Sequence, residues 1–497
     1  MKNNSNTAQS FWILVGSLSA FSFSIISSMI LSRYFDKDNY GTYKQVMYVY
    51  STLLVVFTLG VPKAYSFFLP RVDVEEAKSL INKINRILLI AGSLMALVIF
   101  LGAGIIADVL GNHTLAKPLR YFSLVPLFML PTMGIEGVLS VYRKSKWIAA
   151  YNVTTRVLML LCVVVPVIVF KGDVTDAIIG FTAASFFSFL LAMFLKYRPI
   201  KNQEHIATKT SYRNILKYAT PIMMASIWAV IIKSADQFFI SRYFGTEVFA
   251  EFANGSLELP FVGMIISAGS IVLAPLYSKN AFDNTDETRA EILRLWNSVF
   301  KKTAKLIYPL VIFCFCYATA IMILLYGERY EASGTYFQIK LITNFFTLIS
   351  YAPLLLAIGG EKYYRNIHMY AAIFTVVLEW ASVYFINSPV AIVWISVICR
   401  IARIMAMLLF IANYFNVKFI DLIPVKLTGK ILIPAFFIAY TIKITIEYFF
   451  DFRVLILLIF SCALYIIIYA VWAYVAKIEY FSIIKPLFSG LKNKEIK

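Results

Sequence analysis

The sequence predicts an all-α polytopic membrane protein with about fourteen transmembrane helices, and three observations support this. Of its 497 residues, 60% are hydrophobic and 15% are charged, and its mean hydropathy is +0.76. Soluble domains have about 45–50% apolar and about 25% charged residues. Apolar stretches of about 20 residues, the length that crosses a bilayer, recur along the whole chain. Tyr, Phe and Trp make up 16% of the residues, as is typical of many membrane interfaces.

The apolar stretches fall into two sets of six spans and a final pair. The first set is predicted near 11–33, 41–62, 87–107, 121–142, 147–170 and 175–195. The second is predicted near 214–238, 247–275, 304–326, 336–358, 366–386 and 390–412. The last two spans are predicted near 431–449 and 454–476.

The basic residues predict the orientation of the chain. Most of the 46 Lys and Arg residues fall on one side of the predicted spans, mainly in the connections after the second, sixth and eighth. Basic loops face the cytoplasm, so both termini are expected there. The first apolar stretch has no small-residue cleavage pattern and is interpreted as a retained span. The opposite loops, such as 36–40 and 171–175, are short and leave no room for a soluble domain.

An internal repeat predicts two lobes. Ser32-Arg33-Tyr34-Phe35, followed by Tyr40-Gly41-Thr42-Tyr43, recurs 209 residues later as Ser241-Arg242-Tyr243-Phe244 and Phe249-Ala250-Glu251-Phe252. The repeat follows six spans, so both copies keep the same orientation and form parallel repeats. We expect an N-terminal six-helix lobe (1–200), a C-terminal six-helix lobe (201–415), and two additional helices with a cytoplasmic tail (416–497).

Several classes of function are disfavoured by the sequence. The net charge of +19 matches basic cytoplasmic loops at anionic lipid better than it matches nucleic acid in so apolar a chain. The five cysteines lie in apolar runs and the three histidines lie far apart. No phosphate loop, dinucleotide fingerprint, nucleophile elbow or metal-ligand spacing is present. We therefore expect a carrier without enzymatic activity, cofactor or metal.

Cations inside the predicted spans indicate an anionic cargo, because charge in a span usually faces a cavity or a partner. Arg400 and Arg403 share one helix face about halfway through their span, and the guanidinium fork matches phosphate oxygens. The alternative is a salt bridge with Glu379 or Glu258. Arg156 lies about nine residues inside the fifth span, where snorkelling to the inner face is the alternative.

Other charged residues in or next to the spans have weaker functional signals. Three lysines lie near the outer ends of their predicted spans: Lys44, Lys233 and Lys340. They are expected either to contact the substrate or to snorkel to the membrane interface. The repeated corners contain Arg33 and Arg242. These arginines are expected either to anchor the corners at the membrane interface or to form an outer gate by pairing with acidic neighbours. Lys443 and Glu447 lie four residues apart and are expected to pair with each other.

Buried acidic residues are candidates for ion coupling or gating. Glu258 lies in the eighth span beside Pro260, which can break a helix and free its carbonyls. Asp236, in the seventh span, is an alternative coupling site or a structural partner for Lys233. Glu379 is the remaining candidate, in the eleventh span.

The repeated corner and the segment Lys233-Ser234-Ala235-Asp236-Gln237-Phe238-Phe239-Ile240-Ser241-Arg242 resemble the polysaccharide-transport flippases. This O-antigen-type family belongs to the superfamily of multidrug, oligosaccharidyl-lipid and polysaccharide exporters, and the resemblance covers essentially the whole chain. The chain departs from the pattern at Phe249-Ala250, where a Tyr-Gly-like pair is usual, and at Asp236, whose counterpart in the first half is Ser27.

The resemblance implies a function in surface polysaccharide biosynthesis, such as lipopolysaccharide assembly. Two lobes would alternate around a cationic central cavity and flip an undecaprenyl-pyrophosphate-linked oligosaccharide to the outer leaflet of a bacterial inner membrane. Membrane lipids, a polysaccharide polymerase and a chain-length regulator are the implied partners, and a tail groove at the last two spans is implied by analogy. The alternatives are a drug or cation exporter of the same superfamily, a polytopic glycan polymerase or glycosyltransferase, and a structural scaffold.

Overall fold

The computed structural model describes residues 6–201, 206–283 and 285–480, and its regular elements in these ranges are all helical. The chain forms two compact units, one of residues 1–253 with 379–392 and one of residues 254–378 with 393–497. The predicted division at residues 200 and 415 stays a prediction. The predicted cytoplasmic tail after Tyr480 lies outside the described residues.

The first unit is built mainly from ten helices of the described chain. They are α1 (Asn6–Tyr34), α2 (Lys37–Phe57), α3 (Lys63–Phe68), α4 (Val74–Val109), α5 (Ala116–Phe122), α6 (Leu124–Thr132), α7 (Ile135–Val141), α8 (Ser145–Val169), α9 (Val174–Tyr197) and α10 (Tyr212–Gly255). Helix α8 packs along both α1 and α9, and α4 packs along α6.

The second unit contains most of the remaining helices in the described ranges. They are α11 (Pro260–Asp283), α12 (Asp286–Cys316), α13 (Ala318–Tyr326), α14 (Ser333–Leu341), α15 (Ala352–Ala357), α16 (Glu361–Phe385), α17 (Pro389–Phe415), α18 (Val425–Phe449) and α19 (Val454–Val475). The turn between α16 and α17 belongs to the first unit. Helix α12 packs on α18, and α18 on α19.

The predicted fold class is confirmed: the protein is an all-α polytopic membrane protein with two lobes. Among the described residues, eight helices are long and apolar enough to cross a bilayer, and ten if each sharply bent pair counts as one span. The four other predicted spans correspond to α1, to α2, to the end of α10 with α11, and to α14 with α15.

Several predicted spans are interrupted. The fourth is divided among α5, α6 and α7, where Pro131 is followed by Gly134 at φ +79°. Only glycine fits at this position, since a Cβ would lie 2.3 Å from the Tyr65 ring. The eighth is broken at residues 256–259 and the tenth at 346–351, both in the second unit. Breaks of this kind expose backbone carbonyls, which are tolerated at membrane depth only where protein or a water-filled cavity covers them.

Candidate functional site

Two predicted cations, Lys44 and Arg156, line one cavity in the first unit. The cavity has a volume of about 320 Å³ and lies among α1, α2, α8 and α9. Its other walls include Ser24, Ser27, Ser28, Tyr43, Tyr50, Met159 and Phe181. Helix α8 packs against both α1 and α9, and its Arg156 lines the cavity together with Tyr43 and Tyr50 of α2. The structure thus brings together two cations that are far apart in the sequence.

Hydroxyl groups surround Lys44 in this cavity. The Lys44 Nζ donates to Ser28 Oγ at 3.2 Å and lies 5.1 Å from the centre of the Tyr40 ring. Among the described residues, no Asp or Glu lines the cavity, and Arg156 makes no ion pair. Two cations in a partly enclosed site whose described lining holds no carboxylate favour an anionic ligand.

Three further predicted cations lie in the second unit, on α14 and α17: Lys340, Arg400 and Arg403. Lys340 of α14 points its Nζ toward Ser396 Oγ at 3.4 Å. Ser396, Arg400 and Arg403 are spaced by four and three residues and form one stripe along the helix. We call Lys340, Arg400 and Arg403 the α17 cationic stripe.

Arg403 has unused hydrogen-bonding capacity. Its guanidinium interacts electrostatically with Tyr364 and His368 of α16. Its Nε is buried and has no hydrogen-bond partner in the described part of the chain. Within the second unit, neither Arg400 nor Arg403 makes an ion pair with a described carboxylate. Leaving a buried donor unpaired costs about 1–3 kcal/mol, so this group is poised to bind an acceptor.

Two predicted carboxylates are buried in the first unit, each near Tyr48. Asp236 is 1% exposed and Glu379 is fully buried, and both act electrostatically on the hydroxyl of Tyr48. The Asp236 Oδ1 accepts from the backbone N–H of Gln237 at 2.8 Å. Lys233 lies one turn earlier on the exposed face of α10 and does not line the cavity that holds Lys44.

Glu258 does not lie inside a transmembrane helix, although the sequence predicts that it does. It is exposed and lies in the non-helical connection 256–259 of the second unit, between the end of α10 and Pro260. The prediction of a continuous eighth span is therefore wrong at this point. The missing N–H of Pro260 is accommodated because proline begins α11, where that N–H would have no partner in any case.

The two repeated corners pack against each other in the first unit. A Cβ added to Gly41 would lie 2.2 Å from the backbone carbonyl oxygen of Thr246, so the two backbones are in direct contact. Gln45 Nε2 donates to Ser241 Oγ at 2.8 Å, and Asn112 Nδ2 donates to Gln45 Oε1 at 2.6 Å. We call this set of contacts the corner junction.

An ion pair that sequence reasoning missed closes the corner junction. Lys37 Nζ lies 2.5 Å from Glu251 Oε1, and both side chains are mostly buried. Arg242 donates to the backbone carbonyl oxygen of Asp108 at 2.6 Å, and Arg33 is exposed at the end of α1. The sequence offers one indication of this ion pair, which is that Lys37 and Glu251 lie in or next to the repeated motifs.

Lys196 is a third charged residue whose role the sequence conceals. It follows the predicted sixth span (175–195) and would belong to the basic connection there, yet it is fully buried at the end of α9. Its Nζ lies 2.6–3.1 Å from four acceptors that share its three N–H groups: Tyr65 Oη, Asn85 Oδ1 and the carbonyl oxygens of Pro131 and Met133. The lysine therefore satisfies the carbonyls that the break between α6 and α7 exposes.

Three solved structures with a similar fold are described as transporters. A MATE transporter of Vibrio cholerae has a TM-score of 0.58 at 15% identity, over 82% of this chain and 95% of that one. A MOP superfamily transporter from Pyrococcus furiosus, described as having a binding pocket of reversed polarity, has a TM-score of 0.56 at 13% identity, over 82% and 94%. An inward-facing multidrug resistance MATE transporter has a TM-score of 0.60 at 12% identity, over 81% and 98%. At these identities the similarity establishes the fold.

Sequence comparisons identify the family. An uncharacterized membrane protein of Methanocaldococcus jannaschii is 27% identical over 290 residues, which are 54% of this chain and 67% of that protein. A family model described as "Polysaccharide biosynthesis protein" matches residues 30–334, more than half of the chain. The chain therefore belongs to this polysaccharide biosynthesis protein family, and it has the fold of the MATE-type transporters.

Proposed function

We propose that the protein is a flippase that carries a lipid-linked oligosaccharide from the cytoplasmic to the outer leaflet of a bacterial inner membrane. The cargo is an undecaprenyl-pyrophosphate-linked sugar chain used in surface polysaccharide assembly. Family membership supports the polysaccharide context, and the MATE-type fold supports transport rather than synthesis.

The observation that carries the proposal is that Lys44 and Arg156 line one cavity. The first unit has a cavity with Lys44 and Arg156 and no described carboxylate in its lining. The second unit has the α17 cationic stripe, with a buried guanidinium donor that lacks a partner in the described chain. Pyrophosphate offers several anionic oxygens, and Arg and Lys bind such groups through charge-assisted hydrogen bonds.

The proposed orientation places both termini in the cytoplasm, because the basic loops are concentrated on that side of the predicted spans. The repeated corners then lie at the outer face of the membrane. The corner junction would be an outer gate, held by the Lys37–Glu251 ion pair and by backbone contact at Gly41.

The proposed mechanism is alternating access, in which the headgroup enters from the cytoplasm and leaves when the outer gate opens. Pyrophosphate binds the cations while the prenyl tail stays in the lipid. The buried carboxylates Asp236 and Glu379 take up the coupling proton or sodium ion, since a buried carboxylate gains most from a cation. Glu258, exposed at a helix break, is a second candidate for that ion.

The alternatives make different demands on the protein. A drug or cation exporter needs an anionic or apolar cavity, which is the opposite of the one that Lys44 and Arg156 line. A glycan polymerase or glycosyltransferase usually needs a sizeable outer loop or a surface carboxylate pair. In the proposed pathway such an enzyme, with a chain-length regulator, is a partner that consumes the flipped product.

Replacing Lys44 and Arg156 together with Gln should lower surface glycan at least tenfold in a strain that depends on this protein. Each charge-assisted hydrogen bond contributes about 1.5–3 kcal/mol, and about 1.4 kcal/mol corresponds to a factor of ten. Surface glycan is measured by staining or by immunoblot, at matched amounts of protein in the membrane.

The control for this experiment replaces Arg120 and Lys171 with Gln. Both side chains are exposed and neither lines the cavity. The same number of positive charges is removed, so surface glycan should stay at the wild-type level. Equal loss in the two double variants would show that net charge, and not the cavity, determines transport.

A further inference from the structure

An apolar groove runs between α12 and α19 in the second unit, away from the cations assigned to the cargo. It has a volume of about 990 Å³ and is lined by apolar and aromatic side chains for most of its length. Leu306, Leu310 and Ile466 form its walls and are exposed at its rim. Neither the cavity of Lys44 nor the α17 cationic stripe contributes a residue to it.

The floor of the groove is fixed by tyrosine hydroxyls. Because Pro309 has no N–H, the carbonyl oxygen of Lys305 lacks its normal partner within α12. Tyr480 supplies the missing donor at 3.0 Å, and Tyr469 shares a hydrogen bond with Tyr480 at 2.9 Å. Tyr465 donates to the carbonyl oxygen of Pro309 at 2.8 Å. With these hydroxyls satisfied, the rings present apolar faces to the groove.

The groove has one basic end. Lys305 and Lys477 both line it there, together with Glu479. Lys305 Nζ donates to the backbone carbonyl oxygen of Glu479 at 2.8 Å, which holds the ammonium group at the groove mouth. Lys301 lies one turn earlier on α12 and is exposed. The lysines outnumber the single carboxylate, so this end attracts an anion.

We infer that this groove is a binding site for an anionic phospholipid, whose acyl chains lie along the tyrosine floor and whose phosphate lies at Lys305 and Lys477. An apolar groove with a basic mouth at a membrane surface matches the two parts of such a lipid. In the proposed orientation the basic mouth faces the cytoplasmic leaflet. The site is independent of the flippase proposal, since it requires only that the protein lies in a membrane.

Native mass spectrometry of the purified full-length protein tests this site. The protein is delipidated in detergent and mixed with equal amounts of phosphatidylglycerol and phosphatidylcholine. We expect wild type to retain one phosphatidylglycerol with at least tenfold preference over phosphatidylcholine. Lys305→Gln with Lys477→Gln should remove the preference, and Lys305→Arg with Lys477→Arg should keep it.

A pair of tryptophan variants tests the location. Ala470 lines the groove, whereas Val471 is exposed next to it and does not. Ala470→Trp should abolish retention of the lipid, and Val471→Trp should leave it unchanged. The inference is overturned if wild type retains both lipids equally, if Ala470→Trp has no effect, or if undecaprenyl phosphate displaces phosphatidylglycerol at equal concentration. That last outcome would reassign the groove to the tail of the cargo.

Discussion

Reversing the charge of both Arg400 and Arg403 to Glu should lower transport more than about a hundredfold. In the proposed mechanism each guanidinium donates charge-assisted hydrogen bonds to the cargo, worth about 1.5–3 kcal/mol apiece. Reversal also places two carboxylates against an anion, and like charges in contact cost several kcal/mol. Together these terms exceed the roughly 2.7 kcal/mol that corresponds to a hundredfold change. Surface glycan in a strain carrying only the variant is the measurement.

Two controls separate binding from folding in this experiment. Arg365 is exposed on the neighbouring helix α16, where it contacts Asn366, and Arg365→Glu should leave surface glycan unchanged. Arg400→Lys with Arg403→Lys should retain part of the activity, because Lys keeps the charge but loses the planar donor fork. Wild-type glycan in the double Glu variant, at normal membrane amounts, would remove both arginines from the cargo path.

Substituting Gly41 with Ala should lower transport at least tenfold through the corner junction. The added methyl group would lie 2.2 Å from the Thr246 carbonyl oxygen, and a backbone atom cannot rotate away as a side chain would. The two corners must then separate, which weakens the Gln45–Ser241 hydrogen bond and the Lys37–Glu251 ion pair. An outer gate that cannot close would leave the protein unable to return to the inward-open state.

The matched control for this substitution is Gly104→Ala in α4. No atom lies within 4 Å of the position that its Cβ would occupy, so the methyl group meets open space. Alanine also favours a helix more than glycine does, so this variant should transport normally. Thermal unfolding in detergent accompanies both measurements. If Gly41→Ala transports like Gly104→Ala, the corner junction is not a gate.

Hydropathy alone predicted several regular helices within a few residues, but α4 and α12 begin 13 and 18 residues before their predicted spans. Helices such as α8, α9, α17 and α19 match their predicted spans because lipid requires about 20 consecutive apolar residues. Hydropathy did not predict the breaks at 256–259 and 346–351. A window of many residues averages over a short irregular segment, although Pro260 gave a local sign of the first.

The sequence likewise predicted the roles of only some charged residues. Their presence inside spans predicted Lys44 and Arg156 separately, but the packing of α1, α2 and α8 brings them into one cavity. Lys196 could not be recognised, because its four acceptors come from separate segments of the chain. The Lys37–Glu251 pair likewise depends on contact between corners that lie far apart in sequence.

The central claim is that the cargo is an anionic lipid-linked sugar, and reconstitution of the purified protein tests it most directly. Proteoliposomes are loaded with a lipid-linked oligosaccharide that carries a fluorescent sugar, and its movement between leaflets is followed by quenching from outside. The account predicts movement that is faster than in protein-free vesicles and that is lost in the Arg400→Glu, Arg403→Glu variant. Transport of an organic cation such as ethidium, with no movement of the lipid-linked sugar, would contradict it.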